Sequence, residues 1–225
     1  MLQKNLSPII WRLALLSAFC VTQQIVRMYW SETLSYIFLP ANLILAWIPL
    51  LIARQVQFEQ SISKLTVLLL AWILFFPNSA CIITDMIHLK PRNDIPFLFD
   101  TTMIFTFAFT GFITGLLSAL LIYQRLKKSF SALKSKLLIV FVMFLSGYGI
   151  YMGRFLRWNS WDILLHPVRI LSDTFVRVAN PTEHPQTYAV SIITGTLLTL
   201  TFFILESSTN SSETHSFLLN QNSSL

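Results

Sequence analysis

Charged residues are scarce in this sequence of 225 residues, of which only 12% are Asp, Glu, Lys or Arg. A soluble domain usually has about twice that fraction, so there is too little charge to cover a water-facing surface. Hydrophobic residues make up 54% of the chain, and the mean hydropathy is +0.63. The composition therefore excludes an ordinary soluble protein and indicates one integral membrane domain.

Several signatures of common enzymes are also missing. The sequence has no glycine-rich nucleotide loop and no G-x-S-x-G motif, which excludes the usual marks of nucleotide binding and of serine hydrolases. The two cysteines, Cys20 and Cys81, lie within apolar segments, so we predict buried thiols rather than a disulfide. We predict no cofactor.

Long apolar runs are abundant. Six of them are long enough to cross a hydrocarbon core as helices, which takes about 20 residues; they cover 8–26, 34–53, 65–84, 101–124, 137–153 and 188–205. No small-residue cleavage site follows the first run, so we predict that it is retained. The fold class is then all-α: a polytopic membrane helix bundle of about six transmembrane helices over 1–206. A disordered polar tail is predicted over 207–225.

Positive charge is concentrated in the loop YQRLKKSFSALKSK at 123–136, which has five Lys or Arg residues and no acid. The positive-inside rule makes this loop cytoplasmic, and six spans then put both termini in the cytoplasm. The pI near 9.6 could suggest nucleic-acid binding. In a membrane protein, orientation and contact with anionic head groups are the ordinary explanation of this charge, so we expect membrane lipids and no nucleic acid as partners.

The segment FFPNSACIITDMIHLK at 75–90 places polar groups at the end of the third run. Asn78, Cys81, Asp85 and His88 are spaced three, four and three residues apart, which is one face of an α-helix. Pro77 would kink that helix because it lacks a backbone donor. Two interpretations stay open: these groups lie in head-group water, or they form a polar face turned into the bundle.

Basic partners for this face are expected in GYGIYMGRFLRWNSWD, at the end of the fifth run. Gly149 and Gly153 would let helices approach closely, and Arg154 and Arg157 follow on nearly one face. Pairing of Asp85 with one of these arginines would neutralise both charges. It could equally be a structural ion pair or part of a ligand site. Amides of the first two runs reach a similar depth: Gln23, Gln24 and Asn42.

The loop 154–186 contains WDILLHPVRILSDTFVRV, in which charged residues recur every three or four positions between apolar ones. This pattern is typical of an amphipathic helix at the membrane surface, split at Pro167. We prefer a plain interfacial helix to a lid over the site.

In the fourth run, small hydroxyl residues repeat every four positions from Thr102 to Ser118, which favours a packing ridge. Asp100 is predicted to cap that helix.

Three of these blocks occur together in a known family. In order, NLILAWIPLL, FFPNSACIITDMIHL and GIYMGRFLRWNSWD resemble a bacterial multi-pass membrane-protein family catalogued as domain of unknown function 1361. The resemblance runs from about Asn42 through the sixth run. It implies a bacterial plasma-membrane protein and supplies no activity. The family usually has an aromatic residue near Cys81, which argues against a required role for that thiol.

These observations lead to a functional prediction: a polar site at the extracytoplasmic face that binds or processes an anionic amphiphile. Asp85 and His88 would perform acid–base chemistry, and Asn78, Arg154 and Arg157 would bind the substrate through groups suited to phosphate or carboxylate. Whether the protein is an enzyme is left open.

Two other functions compete with that prediction. One is a small transporter, although no inverted repeat is evident. The other is a non-catalytic scaffold whose polar cluster is an ion pair. A metal site would use Asp85, His88, Asp162 and His166 as ligands. Because D-x-x-H and D-x-x-x-H patterns are common, we predict no metal.

Overall fold

The computed structural model describes residues 2–91 and 95–222, with side chains over 6–91 and 95–209. Within these ranges the secondary structure is helical, with no strand. The helices are α1 Leu2–Ser31, α2 Phe38–Val56, α3 Ile62–Cys81, α4 Phe97–Leu126, α5 Ala132–Phe155, α6 Asp162–Leu165, α7 Pro167–Ala179 and α8 Pro185–Asn222. A 3₁₀ helix, Ile82–His88, continues directly from α3.

Six helices in the described residues are long and apolar enough to cross a membrane. They correspond to the six predicted runs, so the all-α polytopic bundle is confirmed. Several helices extend beyond their runs, because polar residues near the ends of a span are compatible with helix but not with a hydropathy window. The predicted division at 206 stays a prediction, and the backbone of α8 is helical through Asn222.

The central helix is α4, which packs against α1, α2, α3 and α8. Its small residues permit this contact: a Cβ added at Gly111 would lie 2.6 Å from a methyl of Ile82, and one at Gly115 would overlap Ser79. Thr110 and Thr114 are buried and donate to carbonyls one turn back. The hydroxyl repeat therefore serves packing in the buried half of α4.

Successive spans alternate in direction, so the bundle has two ends. The Arg154 end comprises the C-terminus of α1, the 3₁₀ helix, the C-terminus of α5 and the α6–α7 segment. The Lys136 end comprises the connections after α2 and α4. There Lys136 Nζ lies 3.2 Å from a carboxylate oxygen of Glu206, which ties α5 to α8.

Candidate functional site: a polar cluster beside a cavity

The centre of the Arg154 end is the guanidinium of Arg154, from the last turn of α5. Its Nε donates to Thr84 Oγ1 at 2.8 Å, and its Nη2 donates to Asp85 Oδ1 at 2.6 Å and to the carbonyl of Cys81 at 3.3 Å. Its Nη1 lies 3.3 Å from His88 Nε2. The guanidinium is thus fixed on several sides, with 20% of the side chain exposed.

Asp85 is completely buried beneath this guanidinium. Its second carboxylate oxygen accepts a hydrogen bond of 2.8 Å from Asn42 Nδ2 of α2. Both oxygens therefore have partners, and three elements meet at one carboxylate: α2, the 3₁₀ helix and α5. Of the three amides predicted at this depth, Asn42 joins the cluster, whereas Gln24 donates to the carbonyl of Ser35 at 2.9 Å.

His88 lies at the outer edge of the cluster and is exposed. Its ring packs edge-on against Phe38 at 5.0 Å between centroids, and its carbonyl accepts from the hydroxyl of Tyr36 at 3.3 Å. Because arginine can only donate, the contact with Arg154 requires Nε2 of His88 to be the unprotonated nitrogen. Asp85 and His88 share a face, as their spacing predicts, and the 3₁₀ geometry of this helix places residues three apart in eclipsed positions.

Asn78 has a different role from its predicted neighbours. Its Nδ2 donates to Ser160 Oγ at 3.0 Å, and Ser160 donates to the carbonyl of Leu74 at 3.1 Å. These bonds attach the loop after α5 to α3 beside Pro77. A Cβ at Gly149 would lie 2.9 Å from Pro77 Cγ, so α5 approaches α3 at the proline, as the glycine predicts.

Arg157 is not brought to the cluster. It is exposed and has a φ of 60°. The sequence expectation that it shares a face with Arg154 fails because α5 ends at Phe155, and helical spacing has no meaning beyond that residue. The prediction that Gly149 and Gly153 both permit close helix approach holds only for Gly149. A Cβ at Gly153 would make only an ordinary contact of 3.5 Å with Trp158.

A cavity of about 540 Å³ lies next to the cluster, between α3, α5 and the α6–α7 segment. Among the described residues that line it, Arg154 is the only charged one; the amides of Asn42, Asn78 and Asn159 are also there. Aliphatic side chains form most of the remaining wall, including Ile73, Leu74, Leu145 and Ile163. Asp85 and His88 do not line the cavity. It is therefore an apolar space with one fixed positive group.

The Arg154 end contains a second ion pair, which the sequence analysis does not predict. Arg27 of α1 and Asp100 of α4 form two parallel hydrogen bonds of 2.9 and 3.2 Å, and both are buried. The expectation that Asp100 caps α4 is wrong, because α4 begins at Phe97 with Pro96 in the cap position. Two opposite charges at the same predicted depth were the available signal, since buried charges require partners.

The amphipathic segment forms two helices separated at His166. Pro167 occupies the first position of α7, where its missing N–H costs nothing. Within the described ranges, no three His, Cys, Asp or Glu side chains come together as metal ligands. What the site offers is a rigid cation, a hydrogen-bonding rim and an apolar cavity.

The fold and the site define a polytopic helical membrane protein with a charged cluster and a cavity at one end. Residues 41–201 match the family described as "Protein of unknown function (DUF1361)". Since the match covers most of the chain, the chain belongs to this family. It includes Asn42, Asp85, Arg154 and α7, but not Arg27. Comparisons with curated proteins and with solved structures find no match.

Proposed function

We propose that this protein binds an anionic amphiphile in the cavity, with Arg154 contacting its head group. The observation that supports this most is the composition of the cavity wall, where one arginine faces a predominantly aliphatic space of about 540 Å³. Binding sites for small amphiphilic molecules typically combine apolar walls with a few placed polar groups.

The polar and the apolar parts of the cavity wall lie at different depths along α3. Cys81 lies beside Arg154, whereas Leu74 is seven residues earlier on the same helix, which is about 10 Å at 1.5 Å per residue. A head group at Arg154 would therefore extend its apolar chain toward the middle of the span, in the orientation that a lipid has in that leaflet.

Arg154 can bind an anion although it already forms an ion pair with Asp85. Asp85 is buried behind it and does not line the cavity, so the guanidinium is the charged group that a ligand meets. Of its five N–H bonds, those to Thr84, His88, Cys81 and Asp85 use four, and one remains. Because Asp85 and Asn42 fix its position, little side-chain entropy is lost on binding.

This arrangement favours binding over catalysis by Asp85 and His88. Both oxygens of Asp85 already accept hydrogen bonds, and neither side chain lines the cavity. In this proposal Asp85 positions Arg154. The Arg154 end is extracytoplasmic, because the basic loop 123–136 lies at the opposite end. Residence in a bacterial plasma membrane belongs to the same proposal.

One observation favours the second candidate, a scaffold in which the cluster is purely structural. Arg27 and Asp100 form a comparable pair at the same end without lining the cavity. The fold thus already uses one Arg–Asp pair to join helices, and the pair at Arg154 could have that role alone.

Dodecyl phosphate distinguishes the two candidates. Its binding to the full chain in nanodiscs can be measured by native mass spectrometry and thermal shift, with dodecyl maltoside as the uncharged comparison. Wild type should bind the phosphate selectively. Arg154→Lys should weaken binding about tenfold, because lysine has fewer donors and cannot hold Thr84, Cys81 and Asp85 while it also donates to a head group. Arg27→Lys, the matched control, should not. Equal binding by both variants, or no selective binding by wild type, would contradict the proposed ligand site and support the scaffold.

A further inference from the structure

The short helix α7 has its polar and apolar faces reversed relative to a helix on a water-soluble protein. The side chains turned toward the bundle are Ile170, Asp173, Thr174 and Arg177, spaced three, one and three residues apart. Three of these four are polar. A helix that covers a protein in water shows the opposite arrangement, with its apolar stripe inward.

The polar face of α7 is used in contacts with the bundle. Thr174 Oγ1 lies 3.0 Å from the hydroxyl of Tyr148, and Asp173 accepts a hydrogen bond of 2.9 Å from Trp158 Nε1. The guanidinium of Arg177 lies over the ring of Tyr151 at 5.9 Å. All three polar side chains of this face therefore contact the protein.

The opposite face consists of Val168, Leu171, Phe175 and Val178, which are 79%, 68%, 71% and 64% exposed. Four large apolar side chains on one continuous helical face would be strongly unfavourable in water. The six spans of the bundle are surrounded by hydrocarbon, and an apolar environment at the edge of the same leaflet satisfies this face. The outer face of α7 thus fits contact with lipid.

The same helix forms one wall of the cavity. Ile170, Leu171 and Thr174 line it, and Leu171 is also part of the exposed apolar face. The cavity wall and the outer surface of α7 are therefore continuous at Leu171. Ser160, which precedes α6, donates to the carbonyl of Leu74, so the loop before α7 extends to membrane depth, where irregular backbone is tolerated if it lines a cavity.

We infer that the cavity is open sideways to the lipid of the leaflet at the Arg154 end, that α7 is embedded in that leaflet as its outer wall, and that the ligand is a lipid that places a phosphate-like head and one chain in the cavity. The identity of the ligand rests on the proposed function; the position of α7 does not. At about 30 Å³ for each water-sized group, 540 Å³ accommodates about 18 groups. That volume fits a compact head with one chain inside the cavity.

The position of α7 is tested with nitroxide labels on the full chain in nanodiscs, in a Cys20→Ala/Cys81→Ala background. Labels at Val168→Cys and Phe175→Cys should be relaxed by oxygen, which concentrates in lipid. A label at Glu183→Cys, in the exposed connection after α7, should be relaxed by water-soluble nickel chelate. Nickel relaxation at 168 and 175 equal to that at 183 would overturn the inference. Shielding from both agents would also overturn it, because another protein surface would then cover α7.

The ligand class is tested separately with dodecyl phosphate that has a diazirine at the end of its chain. Photolysis should label the peptides that contain Leu74 and Leu145. Labelling only at the outer face of α7 would place the chain outside the cavity and contradict the assignment of the cavity to a lipid chain. The nitroxide measurement uses no ligand, so the position of α7 and the class of ligand can be refuted independently. Failure of the proposed function is recognised separately, because dodecyl phosphate would then bind no better than dodecyl maltoside, or would bind independently of Arg154.

Discussion

At the scale of single residues, the ion pair of Asp85 and Arg154 joins the helices that meet at the Arg154 end. A buried carboxylate is stable only when its charge is compensated, and Arg154 with Asn42 provides that compensation. The sequence predicted the pair from opposite charges at equal depth. It could not choose between Arg154 and Arg157, because the choice depends on where α5 ends. The Arg27–Asp100 pair had the same kind of signal, but Arg27 lies just beyond the first apolar run and Asp100 was expected to cap α4.

Changing Asp85 to Asn should destabilise the protein, because Arg154 then loses its buried counter-charge. Breaking a buried pair typically costs about 3–5 kcal/mol, and the partial exposure of Arg154 puts the expected loss near the lower limit. Asp85→Asn/Arg154→Gln should recover part of it, because neither charge is then stranded. Thermal denaturation in nanodiscs measures both. A double variant less stable than Asp85→Asn would show that the pair is not the source of the effect.

At the scale of elements, close helix approach explains how the site is assembled. Gly147 of α5 lies against the backbone of Ser191 in α8, and Gly149 lies against Pro77 in α3. The sequence predicts such contacts from small residues, but it does not say which glycine faces which helix. The change from α to 3₁₀ after Cys81 also has no clear sequence signal. It places Asp85 and His88 in eclipsed positions, one above the other.

Gly147→Ala should destabilise the bundle by about 1–3 kcal/mol, the usual cost of overpacking. A Cβ at this position would overlap the carbonyl oxygen of Ser191, which is backbone and cannot rotate away. Gly153→Ala is the matched control on the same helix, since its Cβ would lie 3.5 Å from the nearest atom. It should be neutral or slightly stabilising, because alanine favours helix. Equal melting temperatures for the two variants would contradict the α5–α8 contact.

At the scale of the whole molecule, six alternating spans place every residue of the cluster and α7 at one end, opposite the loop 123–136. The number and class of the spans could be predicted because hydrocarbon imposes a length and an apolar composition on each. The cavity could not, because it depends on how the segment after α5 folds back, with its loop on α3 and α7 on α5. Periodicity predicts that α7 is amphipathic, but it does not reveal that the polar face is the inner one.

The orientation of the molecule can be checked with single cysteines in intact cells. A cysteine at Ser129 should be protected from a membrane-impermeant maleimide, because the basic loop is expected to be cytoplasmic. A cysteine at Glu183 should react. The reverse pattern would move the cluster and α7 to the cytoplasmic face, and would require a cytoplasmic-leaflet ligand.

The most direct test of the central claim is a crystal structure of the full chain, grown from a lipid phase with 12-bromododecyl phosphate. The account predicts phosphate density within hydrogen-bonding distance of Arg154 and an anomalous bromine peak in the cavity near Leu74 and Leu145. Density confined to the outer surface of the bundle, with the cavity filled by its own side chains, would contradict it.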